Sequence, residues 1–305
     1  MTTWPVLDLV IPCRDKDDPL LAQFLASLQT QTYPAERMNV HLMFEGNPEE
    51  AKAYGIQACQ GDVIGLFCTD NRLTYEGFLE EMVRATLRPD VIGAYTFRYA
   101  YDENDPILNR YFALLGANDP LCWWLEKADR YDYATYPETG VQHFPEAIPS
   151  IGDNGFFIKR QALQLVVKDP AQHFCIDAIE DLRRLGLYSY NVVPTYIHHQ
   201  TGSSWSAYFQ RRYRYVAELY FRDFAKRRWR MIDTRQDWLG LVSFVAASLL
   251  VLPHLPLVIA GYRKVPDKAW FLHPVICWLL VWVYGWAWLR HRLPQLLSFR
   301  RSTAR

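Results

Sequence analysis

The sequence has no C-x-x-C pair. Its six cysteines (Cys13, Cys59, Cys68, Cys122, Cys175, Cys277) are scattered, which argues against a cysteine zinc site or a disulfide framework and fits a reducing compartment. It also lacks G-x-G-x-x-G and a Walker P-loop, so a dinucleotide oxidoreductase or a P-loop NTPase is disfavoured. No apolar leader opens it: residues 1–5 are polar to mixed and residues 6–11 read as a buried strand. The N-terminal part is therefore expected to stay in the cytosol. Net charge is missing too, with 33 basic and 33 acidic side chains in 305 residues. That balance hides a split. Residues 1–205 hold 16 Lys/Arg and 28 Asp/Glu, whereas residues 206–305 hold 17 and 5. Such asymmetry points to nucleic acid or an anionic membrane as partner.

The basic part decides for the membrane. Residues 238–261 and 269–289 carry no formal charge, and each is long enough to cross a hydrocarbon core of about 30 Å as a helix. Trp238, Trp270, Trp286 and Trp288 lie near their ends, as in an interfacial aromatic belt. Pro253, Pro256 and Pro274 interrupt the stretches, so a kinked or re-entrant hairpin stays open beside two full spans. Arginines before the first stretch (Arg227, Arg228, Arg230, Arg235) and after the second (Arg290, Arg292, Arg300, Arg301) put both ends in the cytoplasm by the positive-inside rule. Residues 206–237 read as a basic, aromatic interfacial helix, with Tyr208, Tyr215, Leu219 and Arg222, and Tyr213, Val216, Tyr220 and Phe224, near helical spacing. Aromatics between arginines also suit base stacking, but continuity with the apolar stretches favours lipid, and no nucleic-acid partner is expected. Residues 290–305 read as a basic cytoplasmic tail.

In residues 1–205, strands (6–11, 38–44, 63–67, 91–97) alternate with helices (20–30, 49–59, 75–87). That order implies an α/β layer with a mainly parallel sheet. Ligands of such sheets sit beyond the carboxyl ends of strands, which directs attention to Cys13–Asp15, Glu45–Asn47 and Cys68–Asn71.

The order of motifs resembles the family 2 glycosyltransferases of GT-A fold. The resemblance rests on LDLVIPCRD, on Gln31-Thr32-Tyr33-Pro34, on AKAYGIQA followed by Gly61-Asp62-Val63-Ile64, and on Cys68-Thr69-Asp70 in the place of D-x-D. It continues in Gly152-Asp153-Asn154-Gly155-Phe156, Ile179-Glu180-Asp181 and Tyr196-Ile197-His198-His199, and covers about residues 5–215. It implies a nucleotide-sugar donor held by Pro12, Arg14, Glu45, Asp70, Asn71, Arg211 and Arg212. It further implies Mg²⁺ or Mn²⁺ on Asp70 with His199, sugar or acceptor contacts from Gly152, Asp153, Asn154 and Gly155, and an inverting transfer with Asp181 as base beside Glu180. Cys68 departs from the pattern, and so does the reduced acidic cluster at Glu45.

Plain readings compete at each position. Asp70 or Asn71 suits a helix cap, and Glu45 a surface turn. Glu180 is spaced to pair with Arg183 or Arg184, and Arg211 and Arg212 suit lipid headgroups as well as a diphosphate. The whole reads as a membrane-anchored GT-A enzyme: catalytic domain 1–205, with residues 99–147 as an acceptor lid, then the basic helix and the hairpin 238–289. The catalytic domain would face the cytoplasm from the cell inner membrane or another cell membrane and serve a lipid- or polyprenyl-linked acceptor. A catalytically silent membrane scaffold and a nucleotidyltransferase are the alternatives. The scaffold predicts no donor binding; the nucleotidyltransferase lacks a glycine-rich N-terminal loop with a basic residue.

Overall fold

The structure is a computed structural model. It describes residues 4–136, 138–200, 204–218, 226–233 and 235–302, with side chains as far as His291. Strand β1 (Leu7–Pro12) leads to helix α1 (Pro19–Gln29), β2 (Met38–Met43), α2 (Pro48–Ala58), β3 (Val63–Leu66), β4 (Asn71–Leu73), α3 (Phe78–Thr86) and β5 (Gly93–Tyr99). There follow α4 (Ile107–Leu115), α5 (Pro120–Trp124), β6 (Gly140–His143), β7 (Phe156–Lys159), α6 (Arg160–Val166), α7 (Cys175–Arg184) and β8 (Ser189–His199). Helices α8 (Trp205–Tyr215), α9 (Trp238–Leu250), α10 (Leu255–Lys264) and α11 (Leu272–Ser302) complete the chain.

One sheet runs β2-β1-β3-β7-β5-β8-β4, with β6 on β8. Strands β1, β2 and β3 are mutually parallel, as are β5 and β8, while β7 runs against both its neighbours. Side-chain alternation splits the core in two. Leu7, Leu9 and Ile11 of β1 join Phe24 of α1 and Met82 of α3 on one face; Val10, Ile64 and Leu66 join Ile56 of α2 and Ile179 of α7 on the other. Local signals fix the helix starts. Asp18 caps α1 ahead of Pro19, and Asn47 with Glu50 forms a capping box ahead of Pro48 in α2.

Asp8 is fully buried in β1 and accepts from Gln60 N (2.8 Å), Gly61 N (2.6 Å), Asn39 Nδ2 (2.9 Å) and His41 Nε2 (2.9 Å). Burial pushes its carboxyl up, but His41, the Gly61 N–H and Asn39 together hold it below the usual range. Asp8→Ala should cost about 2–3 kcal/mol by leaving buried donors unpaired, read as a lower denaturant midpoint. Because the folded pKa is depressed, this stabilisation is present above about pH 4 and is lost as pH falls further. The wild-type advantage over Asp8→Ala should therefore shrink in acid.

The apolar stretches behave differently from one another. Residues Lys268–His291 form one helix long and apolar enough to cross a membrane, with mean hydropathy 1.5 and a third of its most apolar window buried. Pro274 sits in the first turn of α11, where its missing N–H is harmless. The first stretch is not one straight span, which corrects the simple hairpin. It breaks at Val251, whose φ of +67° is strained for a β-branched residue, and the pieces Trp238–Leu250 and Leu252–Lys264 meet at 105°. Trp238, Leu250, Leu252, Trp282 and Trp286 are all more than half exposed, an apolar surface larger than a lone soluble domain usually shows.

The continuous basic helix over 206–237 is also corrected. Helix α8 ends at Tyr215, and residues 226–233 form an irregular strap on the catalytic domain, with Trp229 and Met231 buried. Leu219, Tyr220, Arg222 and Phe224 lie outside the described residues, as do the side chains of Arg292, Arg300 and Arg301. Residues 99–147 also carry core packing. Helix α4 packs Leu108, Tyr111 and Phe112 against Tyr208 of α8 and Trp270, Ile276 and Leu280 of the C-terminal region.

Candidate active site

Because β1, β2 and β3 are parallel, Pro12, Glu45 and Asp70 all follow strand ends on one side of the sheet. They do not all converge. Arg14 and Glu45 are exposed, and neither they nor Pro12 line a described cavity. Asp70 is drawn instead to the end of β8, because the antiparallel register sets Asn71 opposite His199. His199 Nε2 stands 3.4 Å from Asp70 Oδ2. Burial pushes the Asp70 carboxyl up, yet His199 and Arg211 hold it below the usual range. Among the described residues, Asp70 Oδ1 and His199 Nδ1 are buried with no hydrogen-bond partner.

Asn71 does not face this opening, which corrects its placing as a donor contact. It is 2% exposed; its oxygen accepts from Cys68 N (2.9 Å) and its amide donates to Asn154 Oδ1 (3.2 Å). The loop carrying Asn154 needs its glycines. Gly152 and Gly155 have φ of +126° and +77°, and a Cβ on Gly155 would lie 2.5 Å from Ile197 Cδ1. Asn154 donates to the Tyr99 hydroxyl (3.2 Å), and that hydroxyl donates to Asp129 Oδ2. Arg130, 3% exposed, braces the loop by donating to Asn154 O (2.8 Å) and to Thr96 Oγ1 (2.9 Å).

Asp153 lies beside Cys68. Its Oδ2 accepts from the Cys68 thiol (3.3 Å) and from Lys52, which is 2% exposed and also pairs with Glu49 at 3.3 Å. Burial, then Asp153, push the thiol well up, so Cys68 is a hydrogen-bond donor and not a thiolate. A carboxylate from residue 153 thus lies beside residue 68. Burial by itself would discharge Lys52, but Asp153 and Glu49 keep its ammonium above the usual lysine range.

Two cavities open here. The first, about 230 Å³, is lined by Glu49, Asp119, Asp129, Asp153, Asn154 and Arg212 among others, with Phe174, Tyr215 and Trp229 as aromatic wall. Arg212 enters it from α8, 3.4 Å from Asp119. Asp70 and His199 do not line it; the Cys68 thiol bonded to Asp153 and the Tyr99 ring, 5.0 Å from that of His199, connect the two places. The second, about 690 Å³, is walled by Tyr95, Trp123, Trp124, Tyr131, Tyr136 and Phe144 with several charged groups. Burial lifts the Asp129 carboxyl above its usual range, with Arg130 and the Tyr99 hydroxyl opposing.

Glu180 and Asp181 line neither cavity. Glu180 is clasped by Arg183 (2.7 and 2.8 Å) and Arg184 (2.9 Å), and Asp181 by Arg228 Nε at 2.7 Å. The same helix sends the fully buried Asp177 to Arg228 N (3.1 Å), Trp229 N (2.8 Å) and Arg227 (3.4 Å). The helix that resembles a catalytic motif also clasps the strap, with both Glu180 and Asp181 in ion pairs. It also engages Arg227 and Arg228, two of the arginines counted as a membrane flank.

Sequence reasoning missed Lys52, Tyr99, Asp129 and Arg130. Lys52 left a signal, a charge between Ala51 and Ala53 on the buried side of α2; the other three left none.

Neither a protein-family model nor a curated protein sequence matches this chain. Solved structures do. The mannosyltransferase PcManGT from Pyrobaculum calidifontis, in complex with GDP-Man and Mn²⁺, is similar over 92% of this chain and 86% of that one, with 12% identity and a TM-score of 0.54. S. aureus TarS is similar at 10% identity over 87% of this chain and 50% of its own, with a TM-score of 0.46. GalNAc-T7, crystallised with UDP, GalNAc and Mn²⁺, is similar at 13% over 70% and 51%, with a TM-score of 0.42. The first likeness establishes the architecture: this chain has a GT-A-like glycosyltransferase fold.

Proposed function

We propose that the protein is an inverting glycosyltransferase that moves a sugar from a nucleotide-sugar donor to a lipid-linked acceptor. Asp70 carries this reading. A strand-end carboxylate with one buried oxygen lacking any partner, beside a ring nitrogen in the same state, is an incomplete ligand set. Oxygen and imidazole donors fit Mn²⁺ well and Mg²⁺ less well, so Asp70 and His199 would hold the ion. When bound, the ion offsets the charge of the donor diphosphate. Arg211, near enough to depress Asp70, and Arg212, in the cavity wall, would orient that diphosphate by their planar donor forks. The Gly152–Gly155 turn would let Asp153 and Asn154 approach the sugar closely.

The membrane part of the reading is supported by α11 and by the exposed apolar residues of α9 and α10. Our reading sets the catalytic domain on the cytoplasmic face, from the excess of arginines flanking the apolar stretches in the sequence, at a surface where a lipid-linked acceptor is presented. A silent scaffold is the second reading, favoured by Cys68 and by the ion pair on Asp181.

A thermal-shift panel of nucleotide sugars in detergent, with and without Mn²⁺, separates the two. One donor should raise Tm only with the metal, since a ligand at 100 times its Kd stabilises the folded state by about 2.7 kcal/mol. A panel in which no nucleotide sugar shifts Tm would sink the transferase reading.

A further inference from the structure

Three ligating side chains converge where the first apolar stretch breaks. The chain turns at Val251, and His254, at the N-cap of α10, meets His273 in the first turn of α11 with ring centroids 4.8 Å apart. Cys277 lies one turn further along the same face of α11, its Sγ 3.7 Å from His273 Nε2. One atom from each residue, a ring nitrogen or the sulfur, lies within 4.8 Å of the other two. Ligands held about 2.0–2.3 Å from a tetrahedral zinc stand about 3.3–3.8 Å apart, so little movement closes the set. Both histidines are 1% exposed and Cys277 is fully buried. Among the described residues, His254 Nδ1 is buried with no hydrogen-bond partner, a costly state for an interior nitrogen. The other ring nitrogens are held by hydroxyls. His254 Nε2 meets Ser248 Oγ at 3.3 Å, and His273 Nδ1 meets the Tyr111 hydroxyl at 2.9 Å. Metal-bound imidazoles hold their second nitrogen in this way, which fixes the tautomer and aims the first at the ion. The surroundings are aromatic: Trp124 and Trp123 stand 5.3 and 5.7 Å from the rings of His254 and His273. With no carboxylate in the set, Mg²⁺ and Ca²⁺ are disfavoured, whereas two imidazoles and a thiolate suit Zn²⁺.

We propose that His254 Nδ1, His273 Nε2 and Cys277 Sγ form a buried zinc site that ties the broken first apolar stretch to α11. Cys277 binds as the thiolate and releases its proton to solvent as the ion enters. The fourth position is left to water. The site shares no residue with the Asp70–His199 pair and does not rest on the transferase reading. Its task is mechanical. Backbone strain such as that at Val251 persists only where the surroundings over-determine it, and an ion joining His254 to α11 does so beside the break. The absence of C-x-x-C does not exclude such a site, because here a single cysteine joins one histidine 4 residues away and another 23 residues away.

The test uses the full chain in detergent, stripped of metal by a chelator and titrated with Co²⁺, which reports thiolate ligation by a near-ultraviolet charge-transfer band. The band should saturate at about one ion per chain and should vanish when Zn²⁺, which thiolate sets favour, is added. Asp70→Ala should keep the band. Cys277→Ser, a one-atom change, should lose it. Tyr111→Phe leaves all three ligands in place and should weaken Co²⁺ affinity about 10–100-fold, because the His273 ring is no longer held. Zn²⁺ should raise Tm by more in the wild type than in Cys277→Ser. A wild-type chain without the band overturns the proposal, as does a band that survives Cys277→Ser or is lost in Asp70→Ala. Unchanged affinity in Tyr111→Phe overturns the assignment of His273, and equal Zn²⁺ shifts in wild type and Cys277→Ser overturn the mechanical role. A chain that shows the band but binds no nucleotide sugar sinks the transferase reading alone.

Discussion

Asp70→Ala should abolish metal-dependent donor binding and lower transfer by about 10²–10³, the loss typical of removing one fixed charge-stabilising group from a reacting centre. The reason lies in what the residue leaves unpaired. Among the described residues Asp70 Oδ1 is buried with no hydrogen-bond partner, and Oδ2 pairs with His199 at 3.4 Å. No hydrogen bond of Oδ1 is lost, and loss of the His199 pair should lower the unliganded melt only modestly. Activity should fall far more than stability. Isothermal titration of the donor with and without Mn²⁺, beside an unliganded melt, checks both halves. An alanine variant with full turnover would remove Asp70 from the site.

Asp177→Ala should do the reverse, costing about 3–5 kcal/mol of stability, the range for removing one partner of a buried ion pair. Asp177 is fully buried and holds the strap 226–233 by two backbone N–H groups and by Arg227. Without it those donors have no acceptor on α7, Arg227 keeps a side chain only 12% exposed without its counter-charge, and Trp229 loses the anchor that seats it on Ile148 O (2.9 Å). A chemical-denaturation midpoint measured in detergent reads the effect directly. Since Trp229 also walls the first cavity, donor affinity should weaken in the same variant. A midpoint within experimental scatter of wild type would show that the strap is held by other contacts.

The α/β layering was readable from periodicity, because β1 and β3 are buried on both faces and helices such as α1 on one. Its element limits moved by only a few residues. The Asp70–His199 meeting was also readable, since both were expected at strand ends, although nothing local says that β4 pairs with β8. The arginine pairing of the E-D motif was only half readable. Glu180 is spaced to meet Arg183 and Arg184 along the helix, but the partner of Asp181, Arg228, lies 47 positions downstream. Asp129 was invisible because what marks it is that it lines both cavities. That is a property of the surface and not of any neighbouring residue. Likewise Asp153 substituting for an acid at residue 68 depends on a contact 85 positions apart.

Helix α4 packs against both α8 and the C-terminal α11, and Tyr111 donates or accepts at His273 Nδ1 across 2.9 Å while Asp119 takes bonds from both Arg212 and Tyr284. The same aspartate thus faces a cavity group on one side and the apolar helix on the other. Helix α11 is therefore no detachable appendage. Through Asp119 it shares in fixing the cavity wall that carries Arg212, so any change in how α11 packs is a mechanical input to that wall.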